Sequence, residues 1–147
     1  MTATAALERL RELQTEIERN AAITLGSAEQ RRLEAEDRLR ELERYLHEYR
    51  ASFTACLSSG RSAAYAQEYL AFIARLDAAL VLQRARLAGC ERDGEQARLQ
   101  RQAAARERTT TERLLARRQA VIASKELQRE RREIDDRVSA RHVRVDV

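Results

Sequence analysis

The residue types that carry catalysis are sparse and scattered in this chain. His47 and His142 are the only histidines, and Cys56 and Cys90 the only cysteines. There is no HExxH, no CxxC and no glycine-rich phosphate loop. The carboxylates sit among arginines at helical spacing, where i,i+4 ion pairs account for them. These features predict a protein that is not an enzyme and uses no cofactor and no metal. Arginine is the abundant reactive type, and Lys125 is the only lysine. Residues 97–147 hold 14 basic and 8 acidic groups, a net of +6, against 14 and 16 in residues 1–96, a net of −2. A guanidinium offers a planar fork that fits carboxylates and phosphates. The C-terminal third is therefore a candidate surface for an acidic partner, with a merely solvated helix face as the plain alternative.

The elements that must present those groups are helices. The chain has no proline and only four glycines in 147 residues, with 35% charged and 4% aromatic residues. Nothing removes a backbone donor along its length, and Ala, Leu, Arg, Glu and Gln all favour helix. An apolar stripe runs Leu25, Ala28, Arg32, Ala35, Leu39, Leu42, Leu46, Tyr49, Phe53, Cys56. Beyond the polar stretch Leu57 to Ser62 it resumes at Ala66, Tyr69, Ile73, Leu76, Leu80, Gln83, Leu87, Cys90. Alternation of three and four is the 3.5 period of helices that supercoil about each other. The reading is all-α: a long antiparallel two-helix coiled-coil hairpin with an overhanging C-terminal helix. It forms a single domain over 1–147, with a first arm at about 4–57, a turn at 58–62 and a second arm at about 63–142. Ser62 is the expected N-cap of the second arm.

A turn centred near residue 60 sets position i level with position 121 − i. Cys90 then lies level with Arg31, tens of ångströms from Cys56 at ~1.5 Å per residue, so no disulfide is expected. Gly26 falls level with residue 95, next to Gly94 and in the zone that Gly89 and Gly94 interrupt, which predicts a softened or bent segment. Further on, Ala97, Arg101, Ala104, Arg108, Thr111, Leu115, Arg118 and Ile122 continue the stripe with arginines mixed in, and Leu127, Ile134, Val138 and Val145 follow. In heptad terms Glu36, Glu43, Arg50, Asp77 and Arg84 occupy one flank, while Tyr45, Phe72 and Ala79 occupy the other. The level pairs Leu42 with Ala79, Tyr45 with Leu76 and Tyr49 with Phe72 make one apolar patch near the turn. Exposed aromatics with a polar rim mark protein-binding sites. The alternative is an enlarged core closed by a small third helix near Tyr65 and Tyr69.

The stretches Ala35-Glu36-Asp37-Arg38-Leu39, Tyr45-Leu46-His47-Glu48-Tyr49-Arg50, Ser59-Gly60 and Tyr69-Leu70-Ala71-Phe72-Ile73-Ala74-Arg75-Leu76 resemble the FliJ family of flagellar type III export proteins. The resemblance covers the whole chain and is strongest over about residues 35–90. It implies a non-enzymatic stalk that associates with the hexameric export ATPase FliI, contacts the export gate protein FlhA and engages export chaperones. The family's gate-binding surface falls here on Leu42, Tyr45, Tyr49, Phe72, Leu76 and Ala79. Arg38 and Gln83 stand where the family pattern has Gln and His. The Arg-rich end would then meet the ATPase ring through Arg113, Arg117, Arg118, Arg129, Arg131 and Arg132.

Two rival classes are weaker, and a third reading, the injectisome stalk, is the nearest alternative and is poorly separated by sequence. A nucleic-acid-binding helical protein would use the same arginines, but acids interleave them and no stacking aromatics accompany them. A hairpin that enters a polymerase channel would want acids at its tip, and Ser58 to Ser62 has none. A virulence-type injectisome stalk shares the architecture. The N-terminus lacks the basic and apolar regions of a secretory signal, and no apolar run reaches the ~20 residues of a membrane span. A cytoplasmic location, reaching the inner-membrane export apparatus only through partners, is expected.

Overall fold

The computed structural model describes residues 2–146, so positions 1 and 147 of the single-domain reading lie outside the described residues. Two α-helices account for the fold: α1 over Ala3–Ser58 and α2 over Ala63–Val145. No strand and no third helix occurs among the described residues, and Tyr65 and Tyr69 belong to α2. Side-chain oxygens hold the two helix starts. Thr2 Oγ1 accepts from the Ala5 amide at 3.2 Å, and Ser62 Oγ accepts from the Tyr65 amide at 3.4 Å. Ser62 thus caps α2, as expected from its position before the second stripe. At the end of α1, Gly60 takes φ +68°, a left-handed conformation that a Cβ would strain. The Ser59 amide and hydroxyl turn back to Ala55 O and Cys56 O, satisfying the last carbonyls of the helix.

The chain divides into two compact units, one of Met1–Arg19 with Ala103–Val147 and one of Asn20–Gln102. Within the second unit, α1 and α2 pack antiparallel on either side of the turn. Its core is Leu46, Ile73, Leu76 and Leu80, with Leu39, Leu42 and Phe53 against it. Ala28, Ala35, Cys56, Gln83 and Ala97 are also buried there. In the first unit the buried residues are Ala104, Thr111 and Leu115. Every buried residue among those described therefore falls on the predicted stripes.

Neither Gly26 nor Gly89 or Gly94 interrupts its helix. Both helices run through these positions, since a glycine costs a helix interior only about 1 kcal/mol and the backbone ladder needs no side chain. Cys56 and Cys90 are free thiols, the first buried in the seam.

Candidate partner-binding site

The flank composition predicted from the heptads is realised in the second unit. On one side Arg50 Nη2 reaches Asp77 Oδ1 at 3.2 Å, and Arg84 Nη2 lies 3.9 Å from Glu43 Oε1. Both pairs are solvent-exposed, so they steer register more than they add stability. The other side carries aromatics. Tyr45 and Phe72 keep 39% and 37% of their surface exposed, and Tyr49 is similar. Tyr49 and Phe72, predicted to be level, pack at a 44° tilt with ring centroids 4.4 Å apart. Tyr69 joins at 6.2 Å from Tyr49 and 6.5 Å from Phe53, and Tyr65 packs on Tyr69 at 5.3 Å. The aromatic surface thus extends toward the turn, where Arg61 covers Tyr65 at 5.1 Å.

The six residues of the predicted patch divide between two roles. Leu76 is 9% exposed and belongs to the core, and Leu42 packs half-buried against that core. Tyr45, Tyr49, Phe72 and the half-buried Ala79 provide the accessible part. The heptad assignment already put Leu42, Tyr49 and Leu76 at seam positions. It could not say that a tyrosine there would slide its ring outward while the leucines stayed under it. A tyrosine with a free hydroxyl has reason to reach water, and Tyr45 Oη donates to Glu41 at 3.4 Å.

The Tyr65 hydroxyl bears on Tyr69. Their hydrogen bond, and next the charge Tyr65 would carry when ionised, push the Tyr69 phenol above the ordinary tyrosine value. Gln83, by contrast, does not form a rim. It is buried, and its Nε2 donates to Ala35 O at 3.0 Å. The short side chain of Ala35 leaves room for the amide to reach the backbone of the facing helix, so this buried polar group is satisfied. Arg38 remains exposed nearby.

In the first unit α1 carries a stripe of Glu18, Gln14, Arg11, Leu7 and Thr4 at the same three-four spacing. All of these positions are half-buried, yet most are polar. Arg108 lies on the facing stripe of α2 and pairs with Glu18 through Nε and Nη2 and with Glu112 through Nη1 at 2.9 Å. The hydrogen bond to Glu18, followed by that to Glu112, holds the Arg108 guanidinium above its usual range. The predicted ring-facing arginines are all exposed: Arg113, Arg117 and Arg118 within the stretch that faces α1, and Arg129, Arg131 and Arg132 beyond it. From Ala116 to Asp146 no residue is buried. No metal-ligand cluster occurs among the described residues, and no helix of theirs is long and apolar enough to cross a membrane.

Comparison with known proteins adds one match. Neither the curated proteins nor the solved structures yield a significant relative. The family described as "Flagellar FliJ protein" matches residues 3–145, nearly the whole chain. The stretches that carry the resemblance lie in the 3.5-period seam, at the Ser59-Gly60 turn and among the aromatics beside it. The match spans all of them, and the chain belongs to the flagellar FliJ protein family, as a flagellar export-related component.

Proposed function

We propose that this chain is a stalk-type coupling component of the flagellar type III export apparatus, with two separate partner surfaces. Tyr45, Tyr49, Phe72 and Ala79, backed by Leu42 and Leu76, receive the FlhA-like export gate. The Arg-rich end, through Arg113, Arg117, Arg118, Arg129, Arg131 and Arg132, meets the ring of the FliI-like export ATPase. Export chaperones are further partners. The protein works without catalysis of its own, on the cytoplasmic side of the inner membrane and through its partners only.

The observation that carries the gate reading is the asymmetry of the second unit's flanks. One flank is closed by ion pairs, and the other leaves Tyr45 and Phe72 half-open to solvent. Aromatics so placed contribute binding energy out of proportion to their number. The ring reading rests on residues 97–147, whose net charge is +6. A shaft inside a six-fold ring cannot match six identical subunits at once. Its contacts should be few, polar and adaptable, which suits long guanidinium side chains.

Tyr45→Ala with Phe72→Ala should weaken gate binding at least about tenfold while leaving helicity unchanged. Unaltered gate affinity in that double variant would remove the patch. Deleting residues beyond Ala123 should abolish ATPase stimulation, leave gate binding intact, and match a wild-type ring interaction that fades with added salt. Full stimulation by the truncated chain would reduce the arginines to a solvated face.

A further inference from the structure

In the first unit a groove of ≈ 1110 Å³ runs between the start of α1 and residues 114–125 of α2. Its floor is apolar: Leu7 and Leu10 from α1 and Leu114, Val121 and Ile122 from α2. The α1 wall is otherwise Thr2, Ala3, Thr4 and Ala6, side chains too short to cover the larger ones opposite. Val121 consequently keeps 52% of its surface exposed, and Leu10, Leu114 and Ile122 are exposed as well. The rim is cationic. Arg117, Arg118 and Lys125 line the groove, and no acidic residue does. The ion pairs of the neighbouring stretches join Arg108 to Glu18 and Glu112 and Arg129 to Glu133, and none among the described residues includes Arg117, Arg118 or Lys125.

From this geometry we infer that the groove is a docking site for an amphipathic helix of another protein, apolar along one face and acidic along its flanks. Size supports a helix over a small molecule. Small-ligand pockets hold ~300–1,000 Å³, whereas this trough follows twelve residues of α2, about three helical turns or ~17 Å. A third helix laid there would continue the side-by-side packing of α1 and α2, filling the space the short α1 side chains leave. Charge selects its sequence. Three uncompensated cations beside an apolar floor favour Glu or Asp at the flanks of the incoming stripe and repel Lys or Arg. The inference deepens the ring reading at Arg117 and Arg118 and rests on it for the partner's identity.

The test uses the full chain and two labelled designed peptides of about five helical turns. Both carry the same leucine stripe, one with Glu flanks and the other with Lys flanks. The acidic peptide should bind at least about tenfold more tightly than the basic one. Arg117→Glu with Arg118→Glu should invert that preference. Val121→Asp, at an exposed position, should abolish binding without changing the circular dichroism, and Leu10→Asp on the opposite wall should do the same should Val121→Asp unfold. Equal binding of both peptides, or binding indifferent to both Asp variants, would overturn the inference. So would self-association of the chain that Val121→Asp abolishes, since the occupant would then be a second copy. ATPase stimulation measured in parallel separates the two readings. Peptide binding without ring stimulation upholds the groove and removes the ATPase as its partner, whereas ring stimulation untouched by the Asp variants, with no peptide binding, removes the groove alone.

Discussion

The two units use different chemistry between their helices. In the second unit Leu46, Ile73, Leu76 and Leu80 form a continuous apolar core, and the one buried polar side chain there, Gln83, has its amide donated to Ala35 O. In the first unit the seam positions include Arg11, Gln14, Glu18, Arg108 and Thr111, with Leu115 as the one large buried apolar residue among those described. Apolar contacts add stability in proportion to area but tolerate sliding, because one leucine resembles another four residues on. An ion pair such as Arg108 with Glu18 fixes one register and adds little once desolvation is counted. Stability is therefore concentrated beside the aromatic surface, and the Arg-rich unit is held in place more by pairing than by burial.

The largest test of this contrast is truncation of matched leucines. Leu80→Ala should cost ~2–4 kcal/mol by denaturant unfolding, since it opens a cavity among Ile73, Leu76 and Leu46. Leu115→Ala should cost roughly half as much, because the other buried residues described in its unit are the small Ala104 and Thr111. Hydrogen exchange should place the first loss in the second unit and the other in the first. Equal costs would abolish the distinction.

Next in size is the ion pair. Arg108→Leu and Glu18→Leu should each destabilise by less than Leu80→Ala, while the double variant recovers most of the loss, as expected when a charge pair is replaced by apolar groups. If the double variant is the least stable of the three, pairing contributes net stability and the contrast narrows. A smaller effect of opposite sign is expected at Gln14, whose Oε1 is buried without a hydrogen-bond partner. Gln14→Leu should stabilise the chain by about 1 kcal/mol. A loss instead would mean that the amide is needed for register.

The smallest effect is confined to the aromatic surface. Tyr69 has a folded-state value raised by Tyr65 above its unfolded value. Its contribution is full below the ordinary tyrosine range and is lost as pH rises through the raised value. Tyr65→Phe should lower the highest phenol titration seen by near-ultraviolet absorbance, with little change in stability at neutral pH. An unmoved titration would separate the two rings.

Residue spacing was enough to read the helices, their seam and their pairing, because a 3.5 period calls for helices that share a stripe and the short polar turn joins two such stretches in one chain. It placed Tyr49 level with Phe72 and set Arg50, Asp77, Glu43 and Arg84 on one flank, and those groups meet. Gly60 and Ser62 marked the turn and the cap for equally local reasons. Upstream of Leu25 the spacing persists through Glu18 and Gln14, but polar residues on a seam position look like surface until a facing chain covers them.

Tertiary packing decided what periodicity cannot encode. Tyr49 and Leu76 both occupy seam positions, yet one ring turns out to solvent and the other side chain is enclosed. Gln83 became an interior ligand of the facing backbone because Ala35, distant in sequence, is small. The groove beside Val121 exists because short residues of α1 happen to oppose large ones of α2. Spacing sets which residues share a face. How far each side chain is covered depends on the volume of its neighbour on the other helix, and that pairing is settled only when the two helices are packed.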